Sequence, residues 1–282
     1  MRLGLSTPVV VQVPGMASPW EAEAAIDDLA RIASAADDLG FEYLTCSEHV
    51  AIPSADVASR GAVYWDPLAT LGFLAAHTRQ IRLATSVLVL GYHHPLEIAK
   101  RYGTLDRVSA GRLLLGVGIG SLKEEFNLIG ATWKDRAARA DDALRALRAS
   151  LSTATPRYHG PFYGYEGMTV LPYAGQDRVP IWVGGRSAGS LRRAVELADG
   201  WMPFGLTPGE VRNLLSEVDL PADFEVVLST AVDPGADRVG TRTSMAALQD
   251  AGATAITCAV RADNAHHYCD QLARLRDIQE EL

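Results

Sequence analysis

Residues 81–118 read IRLATSVLVLGYHHPLEIAKRYGTLDRVSAGRLLLGVG. After Arg82 the run 83–90 is apolar apart from Thr85-Ser86, and the length of 82–90 suits a strand. Pro95 then opens a segment of helical character that continues to about residue 109, and Gly111 supplies its stop. A second strand is expected at 112–117, continuously apolar after Arg112. Strands that are apolar along their whole length are buried on both faces, as in a parallel sheet covered by its own crossover helices. The stretch therefore reads as one strand–helix–strand unit.

The same alternation continues in both directions. Toward the N-terminus lie a run at 2–7, a helical stripe over 20–39 (Ile26, Leu29, Ile32, Ala33, Ala36) ended by Gly40, a strand at 42–47 and a helix at 66–77. Asp66-Pro67 starts that last helix with a cap and a proline in the first turn. Toward the C-terminus come helical stretches at 122–129 and 135–150, then a polar and aromatic stretch at 157–172 that reads as an inserted hairpin. Strands are expected at 180–183, 200–203, 224–231 and 254–260, each followed by a helix (187–197, 208–218, 241–251 and 262–280). Eight strand–helix units are the arithmetic of a TIM (β/α)8 barrel, here with a short insertion hairpin before strand 5. An open doubly wound sheet is the alternative, but it seldom needs eight units. The units use nearly all of the 282 residues, so 1–282 reads as one domain.

Composition narrows the function classes. The chain has 26 basic and 34 acidic residues, a formal net charge of −8, which argues against nucleic acid as a partner. At 48% apolar residues it is no disordered chain. The N-terminal MRLGLSTPVVVQVPG lacks the pattern of a signal peptide, and no run is long enough for a membrane span. Three scattered cysteines (Cys46, Cys258, Cys269) form no CxxC pair, which reads as a reduced cytoplasmic protein without a disulfide framework or zinc site.

In a barrel of this kind chemistry gathers at the C-terminal ends of the strands. Strand 2 ends in Ser47-Glu48-His49, where His49 is the leading acid/base candidate and Glu48 its expected orienting partner. Strand 5 ends in Gly184-Gly185-Arg186-Ser187 and opens a helix, a pattern that suits an anion through backbone N–H groups, the helix N-terminus and the Arg186 guanidinium. It also suits an ordinary strand-to-helix turn. Gly116, Gly118 and Gly120 follow G-x-G-x-G and miss the dinucleotide spacing; they fit close approach of a ligand to backbone. Tyr158, Phe162, Tyr163 and Tyr165 either roof a pocket or form the hairpin's own small core. His93 and His94 read as residues preceding a helix, and His266-His267 as solvated. No His and carboxylate set has metal-ligand spacing, and none of Lys100, Lys123 and Lys134 ends a strand as a Schiff-base lysine would.

The segments LGFEYLTCSEHV (39–50), 81–126 and YHGPFYGYEGMTVLPYAGQDRVPIWVGGRSAGSLRRAVELADGW (158–201) resemble the luciferase-like flavin and deazaflavin oxidoreductases, TLDRVSAGRLLLGVG most specifically. The resemblance implies a TIM barrel, usually a homodimer, that binds coenzyme F420 or FMN at the C-terminal mouth and acts on a small-molecule substrate. It places the family's acidic–His pair on Glu48-His49 and a non-proline cis peptide behind the cofactor ring at Ser86-Val87. The phosphate loop falls on Val183, Gly184, Gly185, Arg186 and Ser187, and the strand 4 flank on Gly118 and Ile119. Two positions depart from the sugar-phosphate dehydrogenase branch, where Ser121 replaces an acidic residue and Ile119 a threonine. The long late insertion of bacterial luciferases is missing as well. The expected activity is F420-dependent hydride transfer with His49 as acid/base. The alternatives are an FMN-dependent, O2-using monooxygenase and a flavin-binding protein without turnover.

Overall fold

Eight parallel strands close on themselves in chain order: β1 (Arg2–Ser6), β2 (Tyr43–Cys46), β3 (Arg82–Thr85), β4 (Leu113–Gly118), β5 (Ile181–Gly184), β6 (Gly200–Met202), β7 (Glu225–Val232) and β8 (Ala255–Val260). β8 pairs with β1, and β4 with β5, so the ring has no open edge. The computed structural model describes residues 1–282. Eight helices lie outside: α1 (Ile26–Asp38), α2 (Pro67–His77), α3 (Pro95–Val108), α4 (Arg136–Arg148), α5 (Ala188–Leu197), α6 (Pro208–Leu215), α7 (Arg238–Asp250) and α8 (Ala265–Glu280). The architecture is the TIM barrel that the alternation of apolar runs predicts. No helix is long and apolar enough to cross a membrane.

Each strand faces two apolar compartments, which is why the runs show no polar alternation. The outer one lies between strands and helices and holds Leu3, Leu5, Leu44, Leu83, Leu113 and Ile256 among others. The inner one is small: Tyr43, Ala84, Leu114, Trp182, Met202, Val227 and Ala255. Tyr43 and Trp182 fill most of it, edge to face with centroids 5.1 Å apart. They fit because β1 and β6 offer no side chain opposite them. A Cβ on Gly4 would stand 2.1 Å from the Tyr43 ring, and one on Gly200 would stand 2.7 Å from Trp182. The Tyr43 hydroxyl shares a hydrogen bond with Thr257 Oγ1 (2.8 Å), so the buried phenol is satisfied. At the N-terminal end of the strands Arg2 pairs with Glu225 (2.9 Å) and lies near Glu42, which also faces Arg82.

Several boundaries differ from the sequence reading. The stripe over 20–39 is not one helix. A 3-10 turn at Pro19–Ala22 comes first, because the buried Glu21 carboxylate accepts from the Val9 and Ser18 amides (2.7 and 2.6 Å) and pins the entry loop there. The run 82–90 also breaks. β3 stops at Thr85, whose hydroxyl donates to the Gly116 carbonyl (2.6 Å), and Leu88–Val89 then pairs with Val117 and Gly118. The Ser86-Val87 peptide between these pieces is cis. Between α4 and β5, Tyr158–His159 pairs antiparallel with Gly164–Tyr165. This segment packs on α4: Asp142 accepts from the Tyr158 hydroxyl and from the Phe162 and Tyr163 amides, and Tyr165 bonds to Ser150 Oγ (2.6 Å). The aromatic residues thus form the segment's own packing against α4.

Gly4→Ala is expected to destabilise the fold by about 1–3 kcal/mol, because the added methyl overpacks a filled interior. A shift of the urea midpoint at constant m-value would check this.

Candidate active site

The chain leaving β2 crosses the barrel mouth as Ser47-Glu48-His49. Extended backbone sends successive side chains to opposite sides. Ser47 Oγ donates to the Ser86 carbonyl (2.6 Å). Glu48 turns toward the segment after β3, where its Oε2 accepts from the Val89 amide and its Oε1 from His93 Nε2, both at 2.7 Å. His49 turns the other way. Its Nδ1 lies 2.9 Å from Glu125 Oε2, and its ring sits edge-on to Tyr64 at 4.6 Å. The expectation that Glu48 orients His49 is therefore corrected: alternation separates the neighbours, and Glu125, on the short helix Lys123–Leu128, holds the histidine.

Glu125 is a built acceptor. Its side chain is fully buried, and besides His49 it accepts from the Tyr92 hydroxyl (2.5 Å), the Ala51 amide (3.2 Å) and the Val50 amide. Burial alone would raise its pKa, but the hydrogen bonds from His49, Tyr92 and Val50 outweigh it and hold the carboxyl below its ordinary value. Burial, and after it the bond to Glu125, pushes the Tyr92 phenol up, so Tyr92 stays protonated as a donor. The His49 ring thus has its Nδ1 at hydrogen-bonding distance from a carboxylate, with Nε2 on the opposite side of the ring.

The floor of the mouth is made by Val87 and two glycines. Cβ atoms on Gly118 and Gly184 would stand 2.7 and 2.8 Å from the two Val87 methyls, so only glycine at both positions lets Val87 sit between the ends of β4 and β5. Ser86 enters through its backbone, its amide donating to the Cys46 carbonyl (2.8 Å). Val183 and Ile119 point into the outer core, which leaves only their backbone for the mouth. Past β5, Gly185 has φ +126°, and Ser187 caps α5 in reciprocal bonds with Ser190. That occupies the Ser187 hydroxyl and amide. Arg186 remains exposed, over the Phe204 ring at 5.8 Å and without a carboxylate partner, next to the unbonded first amides of α5.

His93, Tyr92 and Glu125 were missed as site residues. For Glu125 a signal existed: Leu122, Glu125 and Phe126 lie on one face of the expected helix, with Leu122 and Phe126 buried, and a carboxylate on an apolar stripe needs donors. His94 caps α3 by accepting from the Leu96 amide, while His266 meets Arg31 and His267 meets Asp263, all away from His49.

The family model for luciferase-like monooxygenases matches residues 1–276. This chain belongs to the luciferase-like monooxygenase family. Among curated relatives, the F420-dependent glucose-6-phosphate dehydrogenase of Nakamurella multipartita is 31% identical over 199 residues, which span 69% of this chain and 56% of that enzyme. Among solved structures, a monooxygenase from Streptomyces bottropensis superposes with a TM-score of 0.78 at 22% identity, covering 100% of this luciferase-like chain and 99% of that one. An F420-dependent secondary alcohol dehydrogenase gives 0.74 at 15% identity, with 98% and 99% covered. At these identities the structural matches show a shared fold.

Replacing Glu125 by Ala leaves the Val50 and Ala51 amides and the Tyr92 hydroxyl without an acceptor. A loss of about 1–3 kcal/mol is expected in urea unfolding, mainly from the half-buried Tyr92 hydroxyl, because water can reach the amides of the exposed Val50 and Ala51. Because the folded-state pKa of Glu125 is lowered, its ionised form stabilises above the ordinary value of 4.5, and that contribution fades as pH falls through the folded value. The Ala variant should therefore lose the matching part of the acid-side slope in stability against pH.

Proposed function

We propose that this chain is a coenzyme F420-dependent oxidoreductase that moves a hydride to or from a small organic substrate, with His49 as acid/base. The observation that carries the reading is the buried Glu125 carboxylate on His49 Nδ1, beside a floor in which Val87 fills the space that side chains at 118 and 184 would take. The kinship with an F420-dependent dehydrogenase supports the choice of cofactor. The residues fit such a group. Val87, Gly118 and Gly184, with the backbone at Ser86, Ile119 and Val183, offer a flat apolar face to a ring. Gly185, Arg186 and the first amides of α5 suit a phosphate, and Ser187 serves by capping that helix. When bound, the deazaflavin supplies the two-electron hydride chemistry.

The protein's own part is proton management. Glu125 accepts the hydrogen bond from Nδ1 and so fixes the tautomer that leaves Nε2 free for the substrate. His49 Nε2 then accepts the proton that a substrate hydroxyl loses as it is oxidised, or returns it in the reverse direction. Tyr92 and the Val50 and Ala51 amides keep Glu125 ionised and in place. Tyr64 against the ring limits its rotation. A second reading, FMN with O2 as a monooxygenase, is supported by the likeness to the Streptomyces bottropensis enzyme.

Titrating the purified protein with F420 and with FMN tests the choice. F420 is expected to bind. His49→Ala should lower turnover by about 10²-fold or more, with the F420 dissociation constant changed little. Tight FMN binding with no F420 binding would overturn the deazaflavin reading. Unchanged activity in His49→Ala would remove the histidine from the mechanism.

A further inference from the structure

The segment after β3 reaches the mouth through the Val87 side chain, and Glu48 secures most of that segment. Its backbone amide donates to the Val87 carbonyl (3.3 Å). One carboxylate oxygen accepts from the Val89 amide and the other from His93 Nε2. A single buried carboxylate thus ties together both flanks of the stretch, residues 89 and 93, directly behind Val87. His93 in turn faces Glu97 through Nδ1 (3.7 Å), and Glu97 pairs with Arg101 (2.9 Å) on the exposed side of α3. These groups meet the Glu125 cluster at two places, the backbone between residues 48 and 49 and that between His93 and Tyr92, whose hydroxyl donates to Glu125.

We propose that Glu48 and His93 form a positioning clamp that sets where Val87 stands between Gly118 and Gly184, and so the fit of the mouth to the cofactor ring. This rests on the F420 reading of the site. The clearance there is small: Val87 already fills the places of two Cβ atoms, so a shift of a few tenths of an ångström changes the floor. Glu48 is a positioning residue by this account, although it adjoins the acid/base histidine in sequence.

The clamp titrates through His93. Burial lowers its pKa, but the hydrogen bond and charge of Glu48, with Glu97 behind, outweigh both that and Arg101, so the folded value lies above the ordinary 6.5. A raised histidine pKa gives a contribution that is complete below 6.5 and lost as pH rises through the folded value. Above that value a charged pair becomes a neutral hydrogen bond, and the clamp loosens without breaking.

Two measurements test it. In the protein without cofactor, Glu48→Gln should speed hydrogen exchange at the Val89 amide by on the order of tenfold, since one neutral amide oxygen, a weaker acceptor than a carboxylate, then faces two donors. For F420 binding, the wild-type dissociation constant should rise severalfold as pH passes above the His93 value. His93→Gln keeps a neutral donor near the Nε2 position and cannot titrate, so its affinity should stay flat from pH 6 to pH 9 at the weaker level that the wild type reaches above the His93 value. Equal Val89 exchange in Glu48→Gln and wild type, or the wild-type pH profile persisting in His93→Gln, would overturn the clamp. So would faster exchange with no change in affinity. If Glu48→Gln does not fold, the Val89 protection factor in the wild type (its exchange rate relative to the intrinsic rate at each pH) replaces it and must fall as pH rises through the His93 value. A wild-type protein that binds no F420 defeats the functional reading, and the exchange data then decide the clamp alone.

Discussion

Filling the interior of a narrow parallel barrel is the constraint on which the rest of this structure depends. Eight strands leave room for few side chains, and here two rings, Tyr43 and Trp182, take most of it against glycines at 4 and 200. Their packing, with the Tyr43–Thr257 hydrogen bond across the barrel, fixes the strands in register. Above this layer the same economy continues with Val87 set over Gly118 and Gly184. The floor of the mouth is thus the top of a close-packed column, and the residues around it inherit their positions from that packing.

Two buried carboxylates divide the work at the mouth. Glu125 gathers His49, Tyr92 and two amides into one hydrogen-bonded group. Glu48 gathers Val89 and His93 into another. Each is satisfied by several donors, which is what permits a carboxylate away from water. The first group holds the His49 ring and the second holds the segment that follows Val87, and the two adjoin where Tyr92 meets His93.

Much of this was legible in the sequence because burial on both faces leaves a plain mark. Runs such as LLLGVG and AITCAV read as strands covered on both faces, and eight of them with helices between favour a closed barrel over an open doubly wound sheet. His49 and the glycines at 118, 184 and 185 were legible for a similar reason, since each stands where an apolar run ends. The break after Thr85 was not, because apolar residues on both sides of a turn look like one strand. Nor was the two-step start before α1, which depends on Glu21 reaching the Val9 amide.

By itself the sequence determined the alternation of strands and helices and the place of His49 just past the end of a strand, since period and strand ends are local properties of the chain. Only the tertiary structure decided which carboxylate serves that histidine. Glu48 is its neighbour in sequence, yet extended backbone turns the two side chains apart, and closure of the barrel brings Glu125 from beyond β4 to His49. The same closure carries His93 to Glu48 and Val87 to Gly184, contacts between residues 45 and 97 positions apart. Spacing along a chain cannot encode such meetings, because they are set by how the strands pack around Tyr43 and Trp182.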